Sequence, residues 1–470
     1  MSETQFVAAL APDNPNLPED IISIPIQPIS LWPISSIPSV LVFPHELQLD
    51  RLVNAIQRVS AVWPTIAGRY VRRPRPGQPD HADFSIDLTR SSIPLTTQSI
   101  HAETAFPTKH VVQPTLAPYL DSLHPQYYLP NIDCPLLLLR LTTLLPSRRS
   151  VLGIMWAHIL GDAGANAMFI QLLSSLYAKD QSTKLDPSQA PTFFPHISMP
   201  HYPPSDEIRE KYRIRQITPT LPAPKQREAY ANFGNGTEPV RASLSRKELS
   251  AMTIECATEA SERISTQDVL SAWWVGVLQR AGFKIDSLIY TISYRTLHRQ
   301  SEFFPSSLPT LAGNVAQMLK IQLPAPQAIN TAHPAANTAS MARAIRSALN
   351  ELRTDPQKTI DWLSAIAYSL EQSALRDEGQ VVVSGEGEAL VNSNLRFNWN
   401  IPFGFRWDQT AFHTAYSVVR SLRVFQANPN EGQQEGETDV ELIFNVPSNG
   451  GAKTSIEQII EEDKRRWAAI

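Results

Sequence analysis

Glycine is scarce in this chain, 18 residues of 470, and proline outnumbers it at 39. The balance excludes collagen-like and glycine-rich flexible architectures, and it predicts many extended connections whose direction is fixed by the proline ring. Cysteine is nearly missing. Cys134 and Cys256 are too few for a disulfide framework and have no metal-ligand spacing, so no metal is expected and the setting expected is a reducing, cytoplasmic one. Long apolar runs are missing too: the longest, around Val151 to Leu160, is about ten residues, too short to span a bilayer, so no membrane partner is expected. The first thirty residues carry acids and prolines where a secretory leader would place a basic and then an apolar region. Charge is modest, 18% of residues with a net of −4, which leaves no electrostatic footprint for nucleic acid. An anionic ligand must therefore find locally concentrated positive charge. Several catalytic signatures are missing as well: there is no G-x-S-x-G elbow, no H-E-x-x-H pair and no complete dinucleotide fingerprint at Gly385 and Gly387.

At 470 residues with 42% hydrophobic content, the chain is globular and longer than one core usually serves, so two domains are expected. Apolar, β-branched and proline-punctuated sequence from Ile21 to Val42 predicts short strands. Leu49, Leu52, Val53, Ile56, Val59 and Trp63 recur at helical spacing until Pro64. Pro135 to Leu144 and Val151 to Ala157 are apolar runs of strand length, and a helix through Met168 to Leu176 follows. Residues 186–228 are crowded with proline and lack apolar periodicity, which marks a crossover linker between 1–185 and 229–470. Beyond it, Ser245 with Glu248 and Ser265 with Asp268 have capping-box spacing, each ahead of a helix. Val381 to Val391, Tyr416 to Phe425 and Val440 to Val446 read as strands, and Thr454 to Trp467 as a closing helix. Strands mixed with helices in both halves predict two α/β layers side by side.

Chemistry concentrates at His158 and Asp162, an H-x-x-x-D pair that no other of the eleven histidines makes. A strand buried on both faces delivers His158 to a turn containing Gly161 and Gly164, and Asp162 stands where an N-cap opens the next helix. An imidazole with an ordinary pKa near 6.5 is largely neutral at pH 7 and able to accept a proton. Locally, two readings are open: His158 is a general base, or it is a packed turn residue beside an ordinary cap.

From end to end the sequence resembles the BAHD acyltransferases, whose fold resembles chloramphenicol acetyltransferase. The landmarks fall in the family's order. Pro64-Thr-Ile-Ala-Gly-Arg69 is similar to its P-L-A-G-R turn, His158 to Asp162 to its H-x-x-x-D, and Ser265-Thr-Gln-Asp268 to its S-T-x-D. Ser293-Tyr-Arg295 with Leu297 occupies the place of V-D-x-R-x-R-L, Gly313-Asn314 that of Y-F-G-N, and Phe403-Gly404 that of D-F-G-W-G. Departures are Ala163 where a glycine usually follows the aspartate, Ser293 for an aspartate, and the eroded Pro402-Phe-Gly-Phe-Arg406.

The resemblance implies two similar chloramphenicol-acetyltransferase-like α/β domains, with mixed sheets flanked by helices and the active site at their interface. A strand near 385–400 is expected to be shared with the first domain. It implies acyl transfer from a CoA thioester, with no permanently bound cofactor, to a hydroxyl or amine of a small metabolite, by a monomer in specialised metabolism. His158 is the expected base. Asp162 is expected to be structural and to pair with Arg295, and Asn394, in the Asn392-Ser-Asn394 that replaces T-S-W, is the candidate oxyanion donor. Ser265 and Thr266 at a helix N-terminus are the candidates for binding CoA phosphate, with Arg241, Arg246, Lys247 and Arg263 nearby; the alternative for the serine and threonine is an ordinary helix cap. The acceptor pocket is expected to include the loop at Tyr127 and Tyr128. Rival readings are a carrier-protein-dependent condensation enzyme, which would carry a second histidine where this chain has Ala157, a non-catalytic binding member, and a hydrolase using water as acceptor.

Overall fold

The computed structural model describes residues 2–31, 36–101, 110–114, 116–123, 129–179, 187–193, 205–212, 220–256, 264–295, 297, 304, 306, 308–324, 334–381, 384–415, 421–448 and 450–469. Tyr127, Tyr128 and Arg263 lie outside these residues, as does much of 186–228.

Two mixed sheets organise the chain. The first has seven strands in the order Ser2–Val7, Ile93–His101, Leu137–Leu145, Arg149–Ala157, Ser36–Phe43, Ala411–Ala415 and Val112–Gln113. The second has six, in the order Thr237–Leu244, Val440–Pro447, Ser421–Gln426, Glu388–Ser393, Ser287–Ser293 and Ala316–Gln322. Most neighbours are antiparallel, but Ile93–His101 with Leu137–Leu145, Ala411–Ala415 with Val112–Gln113, and Glu388–Ser393 with both its neighbours run parallel. A smaller three-stranded sheet joins Ser23–Pro25, Gln78–Asp87 and Arg69–Arg75.

Periodicity explains which faces are covered. Arg149–Ala157 is a central strand with helices on one side and chain on the other, so Val151, Leu152, Ile154, Trp156 and Ala157 are all buried. In Val440–Pro447, Val440, Leu442, Phe444 and Val446 enter the core of the second sheet, while Ile443, from the opposite face, packs in the first. Helix Leu49–Val62 lays Leu52, Ile56 and Val59 on the first core and ends before Pro64, which opens a short buried 3-10 turn. Ser245 and Ser265 both close capping boxes, on helices Arg246–Cys256 and Thr266–Arg280.

Three segments depart from the periodicity. The run from Val381 to Val391 is broken: Glu378–Gln380 and Glu388–Ser393 are separate strands, because the Gly385 to Gly387 turn folds the chain back. Of Tyr416 to Phe425, Ser421–Gln426 is the strand, and 416–420 lie outside the described residues. Within 186–228, Thr220–Pro222 pairs with Glu378–Gln380 and a helix begins at Ala223.

The second half of the chain returns to the first core. Helix Pro356–Leu375 contributes Ile360, Leu363, Ile366 and Leu370 to the first cluster. The strand expected to be shared, near 385–400, stays in the second sheet; the segment that crosses is Ala411–Ala415, inserted beside Ser36–Phe43. Aromatic packing explains the crossing. Trp399 stacks on Phe412 at 4.6 Å, and Phe403 meets Phe43 edge-on at 5.1 Å with its N–H donated to Ser174 Oγ. The eroded 402–406 segment is thus a docking element on the first sheet.

A polar link joins the halves as well. The buried Glu441 carboxylate, from the second sheet, accepts the backbone N–H groups of Val111 and Val112 and pairs with Arg241 at 3.3 Å. Glu441→Gln removes the charge that these donors share, and each hydrogen bond to a charged group contributes about 2 kcal/mol. The urea midpoint is expected to fall by at least that equivalent. A midpoint unchanged from the parent protein would mean that the link contributes nothing.

Candidate active site

The strand Arg149–Ala157 ends in a single 3-10 turn, His158–Leu160, followed by Gly161 at φ +139° and then the helix Ala163–Ala178. The turn is tied at three points. Gly161 N–H donates to His158 O, Trp156 Nε1 donates to Gly161 O at 2.9 Å, and Asn314 Nδ2 donates to His158 O at 3.0 Å. A side chain at residue 161 would meet Ala165 Cβ at 2.5 Å in a backbone conformation that favours glycine.

Asp162 holds the turn to the rest of the molecule. Oδ1 accepts the N–H of Ala165 and so caps the helix. Oδ2 accepts Arg295 Nη1 at 2.7 Å and the Val315 N–H at 2.9 Å. Arg295 Nη2 in turn donates to Leu311 O and Gly313 O. Burial alone would raise the carboxyl pKa, but Arg295 and the two backbone donors hold it below the usual carboxylate range. Arg295 is 7% exposed and Asp162 8%, so each is the other's main source of compensation. Gly164 is required here too, since a Cβ would lie 2.9 Å from Arg295 Nη1.

His158 itself is partly exposed on the wall of a cavity of about 1610 Å³ that opens between the sheets. Ile37, Met155 and Asp162 line it from the first half, and Thr291, Asn314, Asn392 and Asn394 from the second. Burial pushes the His158 imidazole below the ordinary histidine value, against Asp162 and Asn314, which favour the charged form. The shift favours the neutral ring, which faces the cavity.

The other candidates divide. Asn394 is buried on the same cavity, with its N–H donated to Val424 O; its side-chain amide makes no protein hydrogen bond among the described residues. Ser265 and Thr266 also line the cavity, but the Ser265 hydroxyl is already engaged by Asp268 and by Arg346 Nη2 at 2.8 Å. Arg346 also pairs with Asp268, so a carboxylate occupies this helix N-terminus beside a buried cation. Arg241 serves Glu441 instead. Arg346, Val315 and Arg423, which all bear on the cavity or its turn, carried no signal in the sequence: each acts through a tertiary contact with no motif of its own.

No family model matches the sequence, and no curated protein is significantly similar to it. Solved structures are. TRI101 of F. graminearum, in complex with ethyl coenzyme A, is 13% identical over 94% of this chain and 98% of its own, with a TM-score of 0.63. Vinorine synthase is 14% identical over 97% of this chain and 96% of its own, with a TM-score of 0.62. The starter condensation domain of rhizomide synthetase RzmA, in complex with C8-CoA, is 13% identical over 93% of this chain and 90% of its own, with a TM-score of 0.50. At such identities the likeness defines the fold. The chain has the mixed α/β fold of these proteins, over nearly its whole length, and the fold implied by the resemblance to the BAHD acyltransferases is borne out.

The Asp162–Arg295 pair makes a thermodynamic prediction. Asp162→Asn leaves the Arg295 guanidinium buried without its carboxylate, a loss of about 3–5 kcal/mol for a fully buried pair. Combined with Arg295→Gln, it is expected to lower the unfolding midpoint by less than the sum of the single changes. Strict additivity in denaturant titrations of the four proteins would refute the coupling.

Proposed function

We propose that the protein is an acyl-CoA-dependent acyltransferase that moves an acyl group from a CoA thioester to a hydroxyl or amine of a small molecule. The observation that carries this reading is a neutral imidazole, His158, facing a cavity large enough for two substrates in a fold shared with chains crystallised with ethyl coenzyme A or coenzyme A. His158 takes the proton from the acceptor O–H or N–H as that atom attacks the thioester carbonyl. The carbon–sulfur bond then breaks, and the proton passes from the imidazolium to the departing CoA sulfur. No covalent acyl-enzyme forms, and both cysteines are buried free thiols. Asp162 is a positioning residue, held by Arg295. The Asn394 amide is the donor for the oxyanion, a role worth about 3 kcal/mol of barrier where it has been measured.

Two domains, 1–185 and 229–470, frame the cavity in this reading, with 186–228 as the crossover. The thioester enters past Thr266, and the reaction belongs to specialised metabolism. The TRI101 crystals that hold coenzyme A together with T-2, or with deoxynivalenol, support a small molecule bound beside the coenzyme as the acceptor. The likeness to a condensation domain supports a second reading, in which a carrier protein presents the acyl group. Ala157, where such enzymes are expected to place a second histidine, favours CoA. No helix among the described residues is long and apolar enough to cross a membrane, and the chain is taken to act as a cytoplasmic monomer.

His158→Ala is expected to fold normally and to lose about 10² to 10⁴ of the transfer rate. Near-normal turnover at saturating substrates would remove His158 from the mechanism. The pH dependence follows from the same residue. The base works when neutral, and burial lowers its pKa, so activity is lost on the acid side of pH 6.5, as pH falls through the shifted value. The unfolded chain binds that proton more readily, so stability falls over the same acid range. A rate profile whose acid limb lies above pH 6.5, with chemistry rate-limiting, contradicts the assignment.

A further inference from the structure

The charges on the cavity wall do not balance. Across the second sheet Asn392, Arg423, Ile443 and Arg241 lie side by side in register. On the same face, Lys320 is neutralised by Glu388 at 2.9 Å and Arg241 by Glu441 at 3.3 Å. Arg423 has no carboxylate partner among the described residues. Its Nη1 donates to Ala415 O at 2.6 Å, its Nε is buried with no acceptor, and its guanidinium rests 4.9 Å over the Phe425 ring. Arg396 lines the same cavity and likewise has no carboxylate. It is exposed on that wall and sits 4.7 Å over the Phe397 ring. The acidic residues on the cavity wall, Asp162 and Asp268, are already paired with Arg295 and Arg346.

A guanidinium remains charged at neutral pH, and burying it without an anion is unfavourable unless something else supplies one. In a protein of net charge −4, such a site is not a by-product of composition. We propose that Arg423 anchors an anion subsite in the cavity, with Arg396 a second cation on the same wall, and that one of the two substrates carries a carboxylate held there. The carboxylate is either the free end of a dicarboxylic acyl thioester or a group on a hydroxy- or amino-acid acceptor. The planar fork of arginine suits a carboxylate at two points. This inference rests on the acyl-transfer reading of the same cavity, and its test is independent of turnover.

The test uses the full chain and its Arg423→Gln, Arg423→Lys and Arg396→Gln variants. Melting is followed in sodium acetate and in sodium chloride at equal ionic strength, and CoA, acetyl-CoA and malonyl-CoA are then titrated calorimetrically. Without ligand, Arg423→Gln is expected to melt no lower than the parent, since it removes an uncompensated charge. Acetate is expected to raise the parent's melting temperature above that in chloride. The difference shrinks in both glutamine variants and persists in Arg423→Lys. If malonyl-CoA binds about tenfold tighter than acetyl-CoA, the loss expected for one charged hydrogen-bond pair, and the preference vanishes in Arg423→Gln, the acyl group carries the carboxylate. Equal affinity for the two thioesters, with the acetate effect intact, assigns it to the acceptor. The proposal is overturned if acetate and chloride act alike on the parent, or if Arg423→Gln melts well below it. It is overturned as well if Arg423→Gln weakens CoA and both thioesters by one common factor, which makes Arg423 a coenzyme contact. Because CoA binding is read separately, loss of the anion subsite leaves the acyl-transfer reading standing.

Discussion

The geometry of this protein turns on one carboxylate. Asp162 caps the helix that follows the histidine turn, and the same group accepts Arg295 and the Val315 N–H from the other half of the chain. A carboxylate with three such donors is stable as an anion even where burial disfavours it. Two consequences follow. The turn that carries His158 cannot shift relative to Gly313 and Asn314, and the second half cannot separate from the first without stranding two buried charges.

Around that cross-link the chain builds further ties at the same boundary. Ala411–Ala415 inserts into the first sheet, Phe403 docks on Phe43 and Ser174, and Glu441 gathers the 111–112 backbone. Each leaves the first core, the second sheet and the cavity between them in a fixed relation. The cavity is therefore a standing feature of the packing, with the His158 imidazole on one wall and arginines on the other. Its polarity differs from the chain's net negative charge, which is the local concentration of positive charge that an anionic ligand requires.

Much of this was legible in the residues, for identifiable reasons. The strand into His158 announces itself because a strand buried on both faces must be apolar throughout, and the helix after it because an aspartate cap precedes a run of small and apolar residues. Both capping boxes were legible because the hydrogen bonds are local, between residues three apart. What escaped was non-local. The crossing strand is Ala411–Ala415 and not 385–400, since a five-residue strand carries little periodicity and its place is set by Trp399, Phe403 and Phe412 stacking on distant rings. The Ser265 hydroxyl was readable as a phosphate donor or a cap. Its engagement by Arg346, 81 residues away, depends on how two helices pack. Gly313 and Asn314 stood out as a short motif, but that Asn314 holds the carbonyl of His158, and Val315 beside it the carboxylate of Asp162, is a property of the folded chain alone.

The central claim is that this cross-linked turn presents His158 as a neutral imidazole to the cavity. Nitrogen-15 spectra of histidine-labelled protein, titrated with acid and assigned by the signal missing from a His158 variant, read that state directly. The account predicts that the His158 resonances remain those of a neutral ring as pH falls through 6.5, and change only at lower pH. A ring that becomes charged at or above pH 6.5 would mean that the site is neither desolvated nor organised as described.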